Sequence, residues 1–453
     1  MKRKTLLLIN PANQLRPGFH INRATRNQPL SLGIIAALTP TDWKIKIIDE
    51  NFRAFKYYEA DLVGLTAFTS IAPRAYELAA IYRAKGITTV MGGIHASMVP
   101  EESMQYVDAV VQGEAEPVWP QVIADFESGT LKKLYKSPFA KEISQPKPRR
   151  DLFHPGYICA GIQTTRGCPM NCSFCSVSAF NGQHYRFRPV EEVLDELEEV
   201  PQKYVFFVDD NIIGQSRESK ERARQLFEGI IRRGIKKQWI SQSSINFADD
   251  EELLKLAYQS GCRMIFLGIE AETEDQLKEA NKKLNLSRGA NMYRHIFDTI
   301  HKHGIGVIAG FIFGWDSDTP ETIMQRARFA IQCGADSFQT SLLTPLPGTQ
   351  LFEKMVAENR LLFTNFPDDW QRYDYFEPTI KHPLMGTETI IHVFQEAKLK
   401  IFSPVNIIMR NIKTLLQTRS FSSTLILSLN YWHYRNIFLW GMHKKESRKH
   451  END

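Results

Sequence analysis

Three cysteines lie close together in the segment GCPMNCSFC, at Cys168, Cys172 and Cys175. Thiolates are soft ligands that suit iron–sulfur clusters, and the C-x3-C-x2-C spacing places all three on one short loop. Three such thiolates hold three irons of a 4Fe–4S cluster and leave the fourth iron open to a substrate or cofactor. A zinc site is the alternative, but it needs a fourth ligand, for which His154 and His184 are available. The spacing favours the cluster.

Acidic and amide side chains follow two predicted strands downstream of the cysteines. Asp209, Asp210 and Asn211 come directly after YVFFV, and Glu270 ends the run MIFLGIE. Paired acids after an apolar run are costly to bury without a partner, which favours a role in binding a cationic group. The alternative for the aspartates is a solvated strand end that caps the next helix.

The first 135 residues alternate apolar strand-like runs with helix-like runs, beginning with KTLLLIN. This alternation predicts a doubly wound, Rossmann-like parallel sheet, which binds its ligands at the carboxyl ends of the strands. Small residues occupy three of those ends: Thr66, the pair Gly92 and Gly93, and Gly113, which precedes Glu114. The sequence therefore predicts room for a large ligand at this edge.

Residues 136–156 contain four prolines and no apolar period, and we interpret them as a linker. From residue 157 the alternation restarts with six strand-like runs, which predict a (β/α)6 partial TIM barrel over 157–365. Residues 366–453 read as a helical C-terminal region. The predicted fold class is therefore α/β, with an N-terminal domain at 1–135, the barrel and the helical region.

Composition excludes several classes of protein. Of 453 residues, 43% are hydrophobic and 24% are charged, as in an ordinary soluble globular protein. Six cysteines are too few for a disulfide scaffold, and we expect a reducing, cytoplasmic location. The sequence has no uncharged apolar run of about 18 residues, which a transmembrane helix would need. A net charge of +5 does not require a nucleic-acid partner, and we expect none.

The basic character is concentrated in the C-terminal tail. From Lys398 to the end there are ten Lys or Arg and three Asp or Glu. Residues 421–445 combine aromatic and aliphatic side chains with basic ones, a mixture that suits the lipid headgroup zone. We therefore expect peripheral membrane contact through this tail. The alternative is a C-terminal helix that packs on the barrel and ends in a solvated basic segment.

The cysteine spacing, on a strand-to-helix loop that opens a six-repeat βα segment, resembles the radical S-adenosylmethionine (SAM) superfamily over residues 157–350. The resemblance implies that the open iron binds SAM and that an electron cleaves it to a 5′-deoxyadenosyl radical. It also implies that a reductant such as flavodoxin or ferredoxin supplies the electron. By the same resemblance Phe174 lies near the adenine, and Asp209, Asp210 and Asn211 are candidates for holding the methionine amine. Glu270 is the candidate for the methionine or ribose end.

The N-terminal domain resembles the cobalamin-binding domain that precedes many radical SAM enzymes. The matching positions are Thr66, the glycine pair Gly92 and Gly93, and the loop with Gly113 and Glu114, where the resemblance implies that the nucleotide tail of cobalamin enters the sheet. The motif D-x-H-x-x-G is missing, because His20 has neither the aspartate before it nor the glycine after it. We therefore expect no protein histidine on cobalt. His95 is a candidate for contact with the corrin edge, with a surface role as the alternative.

Together the two resemblances imply a cobalamin-dependent radical SAM enzyme, most similar to the branch of the hopanoid methylases. The implied reaction is methylation of an unactivated carbon of a small-molecule or lipid substrate. Two alternatives stay open: an oxidative cyclase of the magnesium-protoporphyrin ester type, and a non-catalytic cobalamin-binding sensor.

Overall fold

The structure is a computed structural model that describes residues 3–12, 28–137, 140, 142–143, 145–420 and 429–431. His20 and the parts of the tail at 421–428 and 432–453 lie outside the described residues. No helix among the described residues is long and apolar enough to cross a membrane.

The chain divides into two compact units that alternate along the sequence. The first unit comprises Met1–Pro169, Phe174–Gln202 and Pro345–Asp374, and the second comprises Met170–Ser173, Lys203–Thr344 and Tyr375–Asp453. The domain boundaries given above stay predictions.

Six parallel strands form the main sheet of the first unit. They are β1 (Thr5–Asn10), β2 (Lys44–Asp49), β3 (Leu62–Thr66), β4 (Thr88–Gly92), β5 (Ala109–Gln112) and β6 (Leu134–Lys136). Their order is β2–β1–β3–β4–β5–β6, and every neighbouring pair is parallel. The direction of winding reverses between β1 and β3, and sheets of this order bind ligands at that switch point.

Helices cover both faces of this sheet. They are α1 (Leu30–Leu38), α2 (Ala72–Arg83), α3 (Ile94–Met98), α4 (Pro100–Tyr106) and α5 (Trp119–Ser128). Leu7 and Ile9 of β1 pack in one buried cluster with α2, whereas Leu6 and Leu8 pack in another with α1 and α5. Alternate side chains of β1 thus enter opposite cores, which is why its sequence is a continuous apolar run.

The first unit also contains the strands and helices that surround the cysteine segment. They are β7 (Cys159–Ile162), β8 (Thr165–Arg166), α6 (Ser176–Asn181), β9 (Arg186–Phe187) and α7 (Val190–Glu199). β8 and β9 pair antiparallel, with Arg166 opposite Arg186. The sequence predicted one strand through GIQTTRG, but that strand ends at Ile162 and the following residues form this small ladder.

The second unit is built on five further parallel strands, each followed by a helix. Its elements up to residue 342 are β10 (Tyr204–Phe207), α8 (Arg217–Arg232), β11 (Gln238–Ser243), α9 (Glu251–Gln259), β12 (Cys262–Glu270), α10 (Glu274–Glu279), α11 (Lys283–Arg288), α12 (Tyr293–Lys302), β13 (Gly306–Phe313), α13 (Pro320–Gln332) and β14 (Ser337–Leu342). These strands lie side by side in chain order. With β7 they account for all six strands predicted after residue 157.

Three helices complete the described chain. α14 (Gln350–Ala357) belongs to the first unit, and α15 (Thr387–Ile401) and α16 (Pro404–Thr418) belong to the second. The C-terminal region is therefore helical over most of its described part, as predicted.

Candidate functional site

The three cysteines lie on the loop between β8 and α6, and none forms a disulfide. Cys172 is buried, whereas Cys168 and Cys175 are half-buried. Gly167, just before the first cysteine, has φ of 87°, and a Cβ there would overlap the carbonyl oxygen of His184. Only glycine fits such a position, so the base of the loop depends on it.

The middle of the loop is fastened to the chain that follows α10. The Asn281 side chain donates a hydrogen bond to the carbonyl of Asn171 at 2.6 Å. The main-chain N–H of Ser173 donates to the carbonyl of Ala280 at 3.1 Å, and its hydroxyl donates to the carbonyl of Glu279 at 2.9 Å. These three bonds fix the backbone on both sides of the second cysteine.

Charged groups surround that second cysteine. Burial raises the pKa of the Cys172 thiol, the ammonium of Lys282 opposes this shift, and the carboxylate of Glu270 adds to it. Lys282 Nζ lies 2.9 Å from Glu270 Oε1, and both side chains are largely buried. A metal ion that binds this thiol must displace its proton, and the adjacent ammonium favours the resulting thiolate.

Glu270 stands in an unusual backbone conformation at the end of β12. Its φ is 66°, and the register of β12 against β13 shifts between Gly268 and Glu270. A Cβ on Gly268 would overlap the Glu270 carboxylate, so the glycine leaves space for the ion pair with Lys282. A non-glycine residue with positive φ costs about 1–3 kcal/mol, and such residues cluster at functional sites. The predicted role of Glu270 at the methionine or ribose end of SAM stays a prediction.

The residues after β10 form a polar strand end. Asp209 and Asn211 are fully buried, and Asp210 is half-buried. The Asn211 amide donates to Ser244 Oγ at 2.9 Å, and its oxygen accepts from Ser243 Oγ at 3.2 Å. Asn211 therefore ties the end of β10 to the end of β11. Assignment of these three residues to the methionine amine, and of half-buried Phe174 to the adenine, stays a prediction.

Two basic residues of the second unit were not predicted from the sequence. Lys282 pairs with Glu270 as described, and fully buried Arg326 binds Asp318 at 2.9 Å and Glu272 at 2.7 Å. Arg326 thus joins the chain after β12 to the chain after β13. Lys282 lies just before α11, and Arg326 lies within α13. The residues next to them in the sequence give no signal for ion pairs with partners that are distant in sequence.

The carboxyl edge of the first sheet is lined by small residues. Gly93 has φ of 91°, and a Cβ there would lie 2.5 Å from Thr66 Oγ1. At Gly92, in contrast, the nearest atom would be 3.8 Å away. Gly113 has φ of 86° and donates its N–H to Ser97 Oγ at 2.9 Å. Just beyond β3, Phe68 is 70% exposed. An open edge with an exposed aromatic ring fits a large ligand with apolar faces.

His95 lies beneath this edge and is fully buried, so the surface alternative is wrong. Its Nε2 lies 3.1 Å from the Tyr76 hydroxyl and 3.3 Å from Glu102 Oε1. The Trp370 indole N–H donates to the same carboxylate at 2.9 Å. Burial tends to raise the pKa of Glu102, but the hydrogen bonds from His95, Trp370 and Tyr76 outweigh it and lower the pKa.

Glu114, at the end of β5, is buried between two arginines of the first unit, Arg166 and Arg186. Its predicted contact with cobalamin stays a prediction. Among the described residues, no three His, Cys, Asp or Glu side chains stand together as a metal site. The assignment of the three cysteines to one cluster therefore rests on their spacing and on the family.

The structure thus combines a doubly wound sheet that has an open, glycine-lined edge with a three-cysteine loop and a series of βα repeats. Residues 162–330 match the Radical SAM superfamily, and residues 21–123 match the B12 binding domain. The chain belongs to the radical SAM superfamily, in the group that carries an N-terminal B12 binding domain. Its cofactors are a 4Fe–4S cluster, SAM and cobalamin, as predicted.

Curated relatives identify the enzyme class. The bacteriochlorophyllide d C-12(1)-methyltransferase of Chlorobaculum tepidum is 29% identical over 88% of this chain and 88% of its own length. The C-8(2)-methyltransferase of the same organism is 30% identical over 78% of this chain and 80% of its own length. The hopanoid C-2 methylase of Rhodopseudomonas palustris is 28% identical over 82% of this chain and 72% of its own length. The predicted branch is confirmed: the chain is a radical SAM C-methyltransferase.

Solved structures share the fold. One is OxsB, a cobalamin-dependent SAM radical enzyme, with aqua-cobalamin and SAM bound. The match covers 97% of this chain and 72% of the OxsB chain. The TM-score is 0.69 at 15% identity. The methyltransferase TsrM from Kitasatospora setae covers 86% of this chain, with 84% of its own chain matched, at a TM-score of 0.63 and 18% identity. The predicted fold class is thereby confirmed.

We predict about four irons and four sulfides per chain, bound through Cys168, Cys172 and Cys175. Changing all three to Ala should abolish the visible charge-transfer absorbance after anaerobic reconstitution. Cys159→Ala is the matched control, because Cys159 is also half-buried and outside any disulfide, and it should keep the full iron content. A complete cluster in the triple variant would contradict the assignment.

The neighbouring glycines at the end of β4 should respond differently to a methyl group. Gly93→Ala should lower the free energy of unfolding by about 1–3 kcal/mol, because of its positive φ and the clash with Thr66. Gly92→Ala should keep the wild-type melting temperature, since the space is open. If the nucleotide tail passes this position, Gly92→Ala should nevertheless weaken cobalamin binding by about tenfold. Equilibrium binding followed by absorbance checks this, and unchanged affinity would refute the placement.

Proposed function

We propose that this enzyme methylates an unactivated carbon of a large, hydrophobic substrate of the polycyclic or lipid type. One observation carries the proposal: relatives named for bacteriochlorophyllide and hopanoid substrates align with 78–88% of the chain. The alignments also cover 72–88% of the relatives' own lengths. A reductant such as flavodoxin or ferredoxin in the cytoplasm supplies the electrons.

The bound cofactors supply radical hydrogen abstraction and a transferable methyl group. The residues of the chain hold and orient these cofactors. Lys282 and Glu270 place a buried ion pair beside Cys172, and Asn211 fixes two adjacent strand ends. In the first unit, Gly92 leaves open space at the sheet edge for the nucleotide tail.

Two other functions are less well supported. The anaerobic magnesium-protoporphyrin IX monomethyl ester cyclase of Rubrivivax gelatinosus is 27% identical over 72% of this chain, but over only 62% of its own length. A non-catalytic cobalamin sensor would not need the three-cysteine loop or the hydrogen bonds that fix it. Methyl transfer is therefore the preferred reaction.

Product analysis tests the reaction. Hydrophobic extract from a strain that lacks the gene is incubated anaerobically with reconstituted enzyme, reductant and SAM labelled with a fully deuterated methyl group. We expect one new product whose mass increases by a methyl group that keeps all three deuterium atoms. The Cys168→Ala variant should give no product. A product that has lost hydrogen without gaining a methyl group would instead support the cyclase.

We also propose that α16 contacts a membrane surface. Unlike an ordinary amphipathic helix, α16 buries polar side chains and exposes apolar ones. The buried polar residues are Arg410, Asn411, Thr414 and Thr418. Burial lowers the pKa of Arg410 to about 10, and Arg410 donates to the carbonyl of Ile401 at 3.1 Å. Its outer face exposes six large apolar side chains, up to 72% at Leu416: Val405, Ile408, Met409, Ile412, Leu415 and Leu416. Contiguous apolar patches of this kind mark interaction surfaces.

The charge around this outer face favours an anionic lipid surface as its partner. Residues 398–420 contain no Asp or Glu, and besides the buried Arg410 they contain four Lys or Arg. Each basic residue near such a surface adds about 1 kcal/mol of attraction. A second copy of the chain would bring the same positive charge and be repelled. Of the predicted tail contact at 421–445, only residues 429–431 are described: Asn430 is buried and donates to the carbonyl of Asp336 at 2.9 Å, whereas Tyr431 is exposed.

Vesicle flotation tests this contact with the full chain. Changing Ile408 and Leu416 together to Asn should weaken binding to vesicles that contain phosphatidylglycerol by at least about tenfold. The reason is that two apolar side chains that would be buried in the membrane are lost. Binding to neutral phosphatidylcholine vesicles should be weaker for both chains, because the electrostatic attraction is missing.

The matched control changes Val356 and Leu384 to Asn, which are exposed apolar residues away from α16. This double variant should float like the wild type. Equal flotation of the α16 variant, or no flotation of the wild type, would refute membrane contact. A wild-type dimer in sedimentation velocity that dissociates in the α16 variant would assign the outer face to a second copy instead.

A further inference from the structure

Four charged side chains of the first unit form one buried network. Glu114 Oε1 accepts a hydrogen bond from Arg186 Nη2 at 2.5 Å, and Glu114 Oε2 lies 3.1 Å from Arg166 Nη1. Arg166 also binds the Glu116 carboxylate and donates to Gln145 Oε1 at 2.9 Å. All four charged side chains are about nine-tenths buried.

The network is balanced in charge. Two guanidinium groups face two carboxylates, so no net charge is buried. Burial alone would lower the pKa of Arg166, but Glu116 and Glu114 outweigh it and the pKa is raised. Removing one partner of a buried pair leaves an uncompensated charge, whereas the intact pair adds little net stability. The network is therefore better suited to fixing a geometry than to stabilising the fold.

Its members come from two parts of the chain that have different functions. Glu114 directly follows Gly113 at the end of β5, where the nucleotide tail of cobalamin is expected. Arg166 ends β8, two residues before Cys168, and Arg186 begins β9, the strand that pairs with β8. The N–H of Cys168 donates to the carbonyl of Gly182 at 3.3 Å, which closes the loop between these two strands. Glu114 thus connects the cobalamin edge to both strands at the base of the cysteine loop, and Glu116 adds a second link to Arg166.

We propose that Glu114, Arg166 and Arg186 are positioning residues that couple the two cofactor sites. An occupied cobalamin edge holds the Gly113–Glu114 segment in place, and the ion pairs then hold the base of the cysteine loop. The iron–sulfur cluster is consequently lost more slowly from a chain that carries cobalamin. Because coupling of binding free energies is reciprocal, the factor by which cobalamin raises the affinity for the cluster is also the factor by which the cluster raises the affinity for cobalamin. This inference rests on the cofactor set and not on the identity of the substrate.

A second buried glutamate provides a matched control. Glu196 also bridges two arginines of the first unit, Arg150 at 2.6 Å and Arg188 at 2.7 Å, and is equally buried. It lies in α7, and neither of its arginine partners contacts the segment after β5. A purely structural role predicts the same behaviour for Glu114→Gln and Glu196→Gln, whereas coupling predicts different behaviour.

The experiment measures release of iron to a ferrous chelator from anaerobically reconstituted full-length protein, with and without saturating hydroxocobalamin. Cobalamin occupancy is followed by absorbance. Cobalamin should slow iron release at least about fivefold in the wild type and in Glu196→Gln. In Glu114→Gln at full occupancy this protection should be largely lost, because only the pair of Arg166 with Glu116 remains. Conversely, cobalamin should dissociate faster from the wild-type chain when the cluster has been removed.

Equal protection in Glu114→Gln and the wild type would overturn the proposal, as would no protection in the wild type. If Glu114→Gln does not fold or does not retain cobalamin, Arg186→Lys replaces it, since lysine keeps the charge but cannot reproduce the forked hydrogen bonds. Protection must then fall in Arg186→Lys, and full protection there would also refute coupling. No readout involves methyl transfer, so the outcome is independent of the proposed reaction.

Discussion

In both units the fold places chemistry at one location, the carboxyl ends of parallel strands. The ladder of backbone hydrogen bonds ends at or just before these residues, so the sheet alone does not fix their side chains. Each group at this edge is instead fixed by a side-chain contact: Glu270 by Lys282, Asn211 by Ser244, and Glu114 by Arg186. The candidate site thus depends on polar contacts beyond the strand ends, which replace the missing ladder.

Arginine is well suited to such contacts because its planar fork can bind two acceptors in fixed directions. Arg166 joins Glu114 and Glu116 to Gln145, and Arg326 joins Asp318 to Glu272. In each case the acceptors follow different strands or lie on separate loops. Buried ion pairs of this kind add little net stability, but breaking one is costly. They therefore restrict the chain to one arrangement of its strand ends, which a site for several large cofactors requires.

The sequence predicted the features that depend on neighbouring residues. Long strands such as β1 and β13 are continuous apolar runs, and the cysteine loop is defined by identical residues at short spacing. The strands β6, β8 and β9 were missed because two or three residues carry no alternation. Lys282 and Arg326 were missed because their partners are distant in sequence, and the positive φ of Glu270 has no signature in a non-glycine residue. The periodic apolar residues of a helix normally mark its buried face. In α16 they lie on the exposed face, because the buried face carries polar side chains.

A chain that needs two cofactors for one reaction is unproductive when it holds only one of them. Independent sites leave a population of singly loaded chains whenever either cofactor is scarce. Reciprocal coupling removes part of that population, because each bound group raises the affinity for the other. With fivefold coupling, the product of the doubly loaded and empty populations is about five times the product of the two singly loaded populations. A neutral, buried network can supply such coupling at little cost in net stability, and its shortest route in this chain runs from Gly113 through Glu114 and Arg166 to the first cysteine.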